Sequence, residues 1–315
     1  MNLLQSDSQW LSLMTAVLTF SFTLTACAAE LKPKKKLTRN SDTSPSVNLY
    51  AAGDIAYCTN IVPAKSGAAS TAAVVMAALE NDSTAKVVTL GDNTYPVGLP
   101  QEFNDCYDPT WGQFKARTMP SPGNHDYSTP DAGGYYGYFG DAAGPERLGY
   151  YSKRVGSWHV VALNSNLDPA QLLTQLAWLK AELAQQPTAC TLAYWHHPLF
   201  SSGGHGNSKR MHDVWQVLMA AKADVVLVGH DHDYERFAPQ DADGNLDVQN
   251  GIRQFVVGTG GAKLTRFRFE KANSEVRDYS THGVLKLVLK DKSYGWEFLP
   301  VAGGTFADTG TALCH

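Results

Sequence analysis

The 315-residue chain has no C-x-x-C pair among its cysteines, which argues against a zinc ribbon or a dithiol redox motif. It has no basic stripe either. The formal charge is -4, and residues 1–45 carry five cations (Lys32, Lys34, Lys35, Lys36, Arg39) against three acids (Asp7, Glu30, Asp42). The body beyond is therefore about -6, so no docked nucleic acid is expected. From Val47 onward there is no linker long enough to divide domains and no internal repeat, which excludes solenoids and arrays. The one long apolar stretch, residues 11–26, is short for a membrane span and suits the core of a signal peptide.

What is present reads as one globular domain, with 43% hydrophobic and 18% charged residues. The stretch 11–26 ends in Leu24-Thr25-Ala26-Cys27, which resembles a bacterial lipobox with Cys27 as the lipidated residue. Met1 to Trp10 has no Lys or Arg, so an ordinary cleaved leader, or no leader, stays open beside the lipoprotein reading. Residues 1–27 are thus expected to be a signal peptide, 28–46 a tether rich in Lys, Thr, Ser and Pro, and 47–315 the working domain. A cell-envelope lipoprotein or secreted protein follows, touching membrane only through an N-terminal lipid. Beyond Cys27 stand Cys58, Cys106, Cys190 and Cys314. An even count suits two disulfides, and the sequence leaves all three pairings open, as well as free thiols.

Short runs rich in Val and Leu, at 47–52, 87–90, 158–163, 191–195 and 225–228, predict strands buried on both faces. Helical patterns lie between them at 66–80, 168–185 and 211–221, the second opened by Asp168 as cap and Pro169. The alternation predicts an α/β fold with much parallel pairing. Strands expected at 252–257, 283–289 and 294–299 lack intervening helices and suggest a second, more antiparallel sheet. Together these predict a four-layer αββα sandwich of two mixed sheets. Residues 95–150, rich in Gly, Pro, Tyr and Asp, read as a long loop serving a site.

Five motifs follow strand ends in order: Gly53-Asp54, Gly91-Asp92-Asn93-Thr94-Tyr95, Gly123-Asn124-His125-Asp126, His196-His197-Pro198 and Gly229-His230-Asp231-His232. Carboxylate, phenolate, amide oxygen and imidazole are ligands for iron, zinc and manganese. Ligands at the carboxyl ends of strands converge on one rim. The preceding glycines suit tight turns and close backbone approach. A Gly-Asp pair alone is a common turn; five motifs in order point to a two-metal hydrolase.

The set resembles the calcineurin-like metallophosphoesterases, and Tyr95, three residues after Asp92, resembles their purple acid phosphatase branch. The likeness runs from about Val47 to His232, without the fibronectin-like domain of large plant members. It implies one metal position from Asp54, Asp92, Tyr95 and His232 and a second from Asp92, Asn124, His196 and His230, with Asp92 shared. It implies Fe(3+) in the first and divalent Zn, Fe or Mn in the second. The implied reaction is hydrolysis of a small phosphomonoester by in-line attack of a metal-bound hydroxide. A phosphodiesterase, a nucleotide pyrophosphatase or a non-catalytic cell-surface binding protein are the alternatives. His205 stands where smaller relatives place a substrate-facing histidine, and His125 is the second proton-donor candidate. His197 is expected behind the ligands, with an exchange of roles with His196 left open. Tyr95 could instead pack within its aromatic loop. His159 is read as structural, His212, His282 and His315 as surface residues, and Glu235 and Arg236 as a local ion pair or a loop brace.

Overall fold

In the computed structural model, residues 45–60 and 62–315 are described, so the leader, Cys27 and all of the tether before residue 45 lie outside the described residues. Val47–Ala52, the first strand, is flanked by Lys86–Leu90 in parallel and by Gly283–Lys290 in antiparallel pairing. Thr118–Ser121 extends this sheet in parallel on one side, and Ser293–Pro300 and Thr309–Leu313 extend it antiparallel on the other, giving six strands. The second sheet has a parallel centre, Trp158–Ala162, Thr191–Tyr194, Val225–Val228 and Arg253–Val257. Antiparallel strands edge it, Tyr151–Val155 at one side and Tyr234–Phe237 with Ser274–Asp278 at the other, for seven in all.

The C-terminal strands therefore do not form a sheet of their own, contrary to the expectation above. Arg253–Val257 joins the second sheet in parallel, whereas Gly283–Lys290 closes the first. The burial explains the split. Gln254 to Val257 are buried throughout, as a central strand requires, while Gly283–Lys290 alternates at its far end towards solvent.

Alternation in the central strands builds two cores. Leu192, Tyr194, Val225, Leu227, Phe255 and Val257 join Leu49, Val88, Leu285 and Leu287 in one cluster between the sheets. Ala193, Trp195, Val226 and Val228 point the other way, onto Leu179 of helix Pro169–Gln185 and Val214, Trp215 and Leu218 of helix His212–Ala220. Helix Gly67–Glu80 adds Ala68, Ala72, Val75 and Leu79 to the first cluster. The result is the four-layer mixed-sheet sandwich the pattern implied. The Asp168 side chain accepts from Gln171 N, with the reciprocal bond completing a capping box.

Residues 95–150 are not an open loop. Short helical turns fill much of the segment, among them Pro100–Glu102, Phe103–Tyr107 and Gly133–Phe139. Their aromatic side chains pack together: Tyr135 and Phe139 are buried, and Phe139 meets the rings of Phe103 and Tyr107 edge-on. The tyrosine cluster packs this segment. Two disulfides, Cys58–Cys106 and Cys190–Cys314, select one of the three pairings the sequence allowed. The second ties the start of Thr191–Tyr194 to the end of Thr309–Leu313, and so joins the two sheets. Among the described residues no helix is long and apolar enough to cross a membrane.

Candidate metal centre

The five motifs meet where the central parallel strands of both sheets end. Asp54 and Asp92 follow Val47–Ala52 and Lys86–Leu90, neighbours in the first sheet; His196 and His230 follow Thr191–Tyr194 and Val225–Val228, neighbours in the second. The turns are sharp. Gly91 has φ +83, and the left-handed backbone then falls on the functional residues themselves, Asp54 (φ 59), Asp92 (φ 47) and His230 (φ 74). Aspartate and histidine tolerate this region better than most residues, and such strain collects at functional sites. Gly53, Gly123 and Gly229 do not use positive φ; they allow close approach. A Cβ on Gly123 would sit 2.1 Å from both the backbone N and Oδ1 of Asp92.

After their turns the first two motifs run side by side. Asp54 N donates to Gly91 O, Ile55 N to Asp92 O and Ala56 N to Asn93 O. The pairing ends in a two-stranded sheet, Ala56–Tyr57 with Thr94–Tyr95, which swings the Tyr95 ring inward. The Tyr95 hydroxyl lies 2.7 Å from Asp54 Oδ1, 3.1 Å from Asp92 Oδ2 and 3.0 Å from His232 Nε2. On the other side His196 Nε2 lies 3.0 Å from Asn124 Oδ1, 3.1 Å from His230 Nδ1 and 3.3 Å from the same Asp92 Oδ2. Two clusters therefore share one carboxylate oxygen.

In each cluster carboxylate, amide or imidazole atoms crowd one central atom at 2.7–3.3 Å. One proton satisfies one acceptor; a cation satisfies all of them, so both donor sets fit a metal. The outer nitrogens are already fixed, His196 Nδ1 on Leu90 O at 2.8 Å and His232 Nδ1 on Lys263 O at 2.9 Å, which turns both Nε2 atoms inward. Without cations, protons do this work. Burial, then Asp54 and Asp92, push the Tyr95 phenol well above its usual range. Burial would lower His196 and His232, but the charge and hydrogen bond of Asp92 for the first, and of Asp54 for the second, push both up to about 9. Burial, then His196, holds His230 neutral.

All seven residues read as ligands, Asp54, Asp92, Tyr95, Asn124, His196, His230 and His232, are brought together, and Tyr95 is not free packing in its loop. His197 lies closer to the centre than a packing residue need. Its ring is 4.5 Å from that of His230, and one of its nitrogens lies within 4.8 Å of nitrogens of His196 and His230. Ser165 Oγ holds its Nδ1 at 2.8 Å. His125 packs against Tyr95 with ring centres 4.4 Å apart and planes tilted by 50°, and its backbone N donates to Asp92 Oδ1. His205 is exposed on a loop beside the cage, its ring 4.2 Å from that of His230.

Two further carboxylates inside these motifs, Asp126 and Asp231, hold loops in place. Asp126 is buried and accepts from Gly123 N, Asn93 N and Asn93 Nδ2, pinning the second and third motifs together. Asp231 accepts from Ser201 Oγ, His205 N and Gly206 N, and so fixes the loop that carries His205. Glu235 braces the same loop through Ser202 N and Oγ. It does not pair with Arg236, whose partners are Asp308 and Glu275, because alternation in Tyr234–Phe237 sends the two side chains to opposite faces. His159 is buried against Glu182, as a structural residue should be. His212, His282 and His315 stand apart from the cage, on Asp243, Ala262 O and Asp224.

The close packing at Gly123 makes a direct prediction. Gly123→Ala should push the Asp92 carboxylate aside, lowering cation affinity by about tenfold or more and stability by about 1–3 kcal/mol. Metal content after dialysis against a graded chelator and a urea melt measure both; an unchanged metal content would show that Asp92 does not need this approach.

A family profile described as calcineurin-like phosphoesterase matches residues 48–234. Purple acid phosphatase 21 of Arabidopsis thaliana is 28% identical over 218 residues, covering 59% of this chain and 49% of that protein. The Fe(3+)-Zn(2+) purple acid phosphatase 12 of the same plant is 29% identical over 174 residues, covering 48% and 36%. The chain thus spans about half or less of these relatives' lengths. Among solved structures, the purple acid phosphatase PPD1 of yellow lupin (Lupinus luteus) superposes with a TM-score of 0.67 at 23% identity, over 86% of this chain and 54% of that one. With this match to the profile, the chain belongs to the calcineurin-like phosphoesterase family.

Proposed function

We propose that the chain is an exported two-cation phosphatase that hydrolyses small phosphomonoesters. The observation that carries this is the single Asp92 Oδ2 shared by the Tyr95 and His196 clusters. Asp54, Asp92, Tyr95 and His232 would hold one cation, and Asp92, Asn124, His196 and His230 the other. The phenolate and two carboxylates of the first set suit a trivalent iron, and the amide and imidazoles of the second suit divalent zinc, iron or manganese. Bound there, the pair supplies the positive charge that activates a water and neutralises the phosphoryl oxygens.

The chain's own residues do the rest. The leaving oxygen needs a proton as the P–O bond breaks, and imidazole is a natural donor near neutral pH. His205 has the reach, standing exposed beside His230 on a loop held by Asp231 and Glu235. His125 has Nδ1 engaged by Pro96 O, so its Nε2 is the nitrogen left to meet substrate. His205→Ala should lower turnover by about 100-fold or more while leaving metal content intact. A collapse of metal content instead would make His205 a ligand or a structural support.

Export is supported by the two disulfides. Mass spectrometry of the mature N-terminus tests it, and a start downstream of an unmodified Cys27 would remove the lipid anchor. Hydrolysis of phenyl phosphate against a chromogenic diester, with metal analysis and a visible spectrum, tests the activity. Preference for the diester would make it a phosphodiesterase, and inactivity with every metal would make it a binding protein.

A further inference from the structure

One parallel strand of the second sheet ends on the same rim as the motifs yet carries none of them. Trp158–Ala162 pairs in parallel with Thr191–Tyr194, the strand that leads to His196, and the chain then turns through Asn164, Ser165 and Asn166. This turn is locked in place. Arg210 Nε donates to Ser165 O and Arg210 Nη2 to Leu167 O, both at 2.8 Å, and Asn166 Nδ2 donates to Pro122 O at 2.9 Å. Ser165 is fully buried. Its hydroxyl meets His197 twice, at the backbone N at 3.1 Å and at ring Nδ1 at 2.8 Å.

Those two contacts fix the proton on the imidazole. A backbone N–H can only donate, so Ser165 Oγ accepts from His197 N. The hydroxyl's own proton then needs an acceptor, because a buried donor left without one is costly. Among the described residues the acceptor it reaches is His197 Nδ1. With Nδ1 accepting, the imidazole is neutral and its proton sits on Nε2. Neither nitrogen then has a lone pair free for a cation, so His197 does not exchange roles with His196. Nε2–H is instead an unused donor. It has no partner among the described residues and is not sealed from solvent. The ring lies 4.5 Å from that of His230 and 5.0 Å from that of His196. Because Nδ1 points at a buried serine and His197 is itself part-exposed, the side of the ring that reaches the cleft is the side away from Ser165.

We infer that His197 is a phosphate-binding residue whose Nε2–H donates to an oxygen of the phosphoryl group beside His196 and His230, and that Ser165 is the positioning residue that sets its tautomer. A neutral donor suits this place. It offers a hydrogen bond to an anionic oxygen, of the stronger charge-assisted kind, without setting another positive charge against the cation there. The phosphate contact rests on the two-cation phosphatase reading above, but the tautomer does not.

The test uses the full chain loaded with zinc, which keeps it diamagnetic. A nitrogen–proton correlation spectrum of histidine-labelled wild-type protein, with the His197 signal identified by its loss in His197→Gln, should place the ring proton on Nε2. Titration calorimetry with inorganic phosphate should show affinity about tenfold weaker in His197→Phe, with zinc content unchanged. His197→Gln, whose amide N–H can take the place of Nε2–H, should bind phosphate within about threefold of wild type. Ser165→Ala should let the proton move to Nδ1 in the spectrum and weaken phosphate by about threefold or more. A proton on Nδ1 in the wild-type protein would overturn the tautomer, and unchanged phosphate affinity in His197→Phe would overturn the contact. Loss of zinc from His197→Phe would make His197 a ligand and overturn the proposal as well. Wild-type protein with the proton on Nε2 that neither binds phosphate nor cleaves an ester would overturn the phosphatase reading while leaving the tautomer in place.

Discussion

Asp92→Asn is expected to release both cations together, whereas Asp54→Asn should release only the one beside Tyr95. The asymmetry follows from geometry: Asp92 Oδ2 contacts both clusters, and Asp54 Oδ1 contacts only Tyr95 and His232. Asparagine keeps the shape and one acceptor but removes the charge that lets one oxygen serve two metals. Turnover should fall by about 1000-fold or more, since losing even one preorganised group that stabilises charge costs about 100- to 1000-fold. Elemental analysis after gel filtration decides the matter. Retention of both metals in Asp92→Asn would mean that the carboxylate is not shared, and the two-cation reading would fail with it.

The second large effect is on stability. Removing the Cys190–Cys314 bond by paired serine substitutions should destabilise the domain by about 5 kcal/mol on the chain-entropy estimate, because its ends are 124 residues apart. That is as large as the whole stability of many domains, about 5–15 kcal/mol. The Cys58–Cys106 bond closes 48 residues and should cost about 4 kcal/mol by the same estimate. The two differ in what else they disturb. Cys58 N donates to Tyr95 O, so loss of the shorter bridge should also weaken cation binding, whereas loss of the longer one should not. Urea melts combined with metal titration separate these outcomes. A loss below about 1 kcal/mol on removing Cys190–Cys314 would show that the cores alone hold the sheets together.

Much of this was readable in the residues. The strand Val47–Ala52 begins and ends where its apolar run does, and helix Pro169–Gln185 starts at the cap and proline that announce it. The candidate ligands were legible because chemistry leaves few residue types to choose from. Their neighbours were not. Asp231 and Asp126 have the same side chain as Asp92 and lie in the same motifs, yet they face away from the cage and hold its loops. Which carboxylate turns inward depends on local backbone, such as the positive φ of Asp92, and residue type does not encode that. The two-stranded pairing of Ala56–Tyr57 with Thr94–Tyr95 was equally hidden, since two residues carry no periodicity. The sheet chosen by each C-terminal strand, and the partner of each cysteine, depend on contacts far away in the chain.

One such contact sets the order of events in time. Val47–Ala52 is the first strand among the described residues, yet its antiparallel neighbour is Gly283–Lys290, so Val47 waits opposite Leu289 until a strand far along the chain has been made. Asp54 hangs from that strand, and the cage cannot take its final shape while one side of the strand is bare. Such long-range closure slows folding and leaves an unpaired edge exposed meanwhile. For a protein that finishes folding on the side of the membrane where it was made, this delay is a hazard. For one that crosses the membrane before it folds, the same delay keeps the cage incomplete until it arrives.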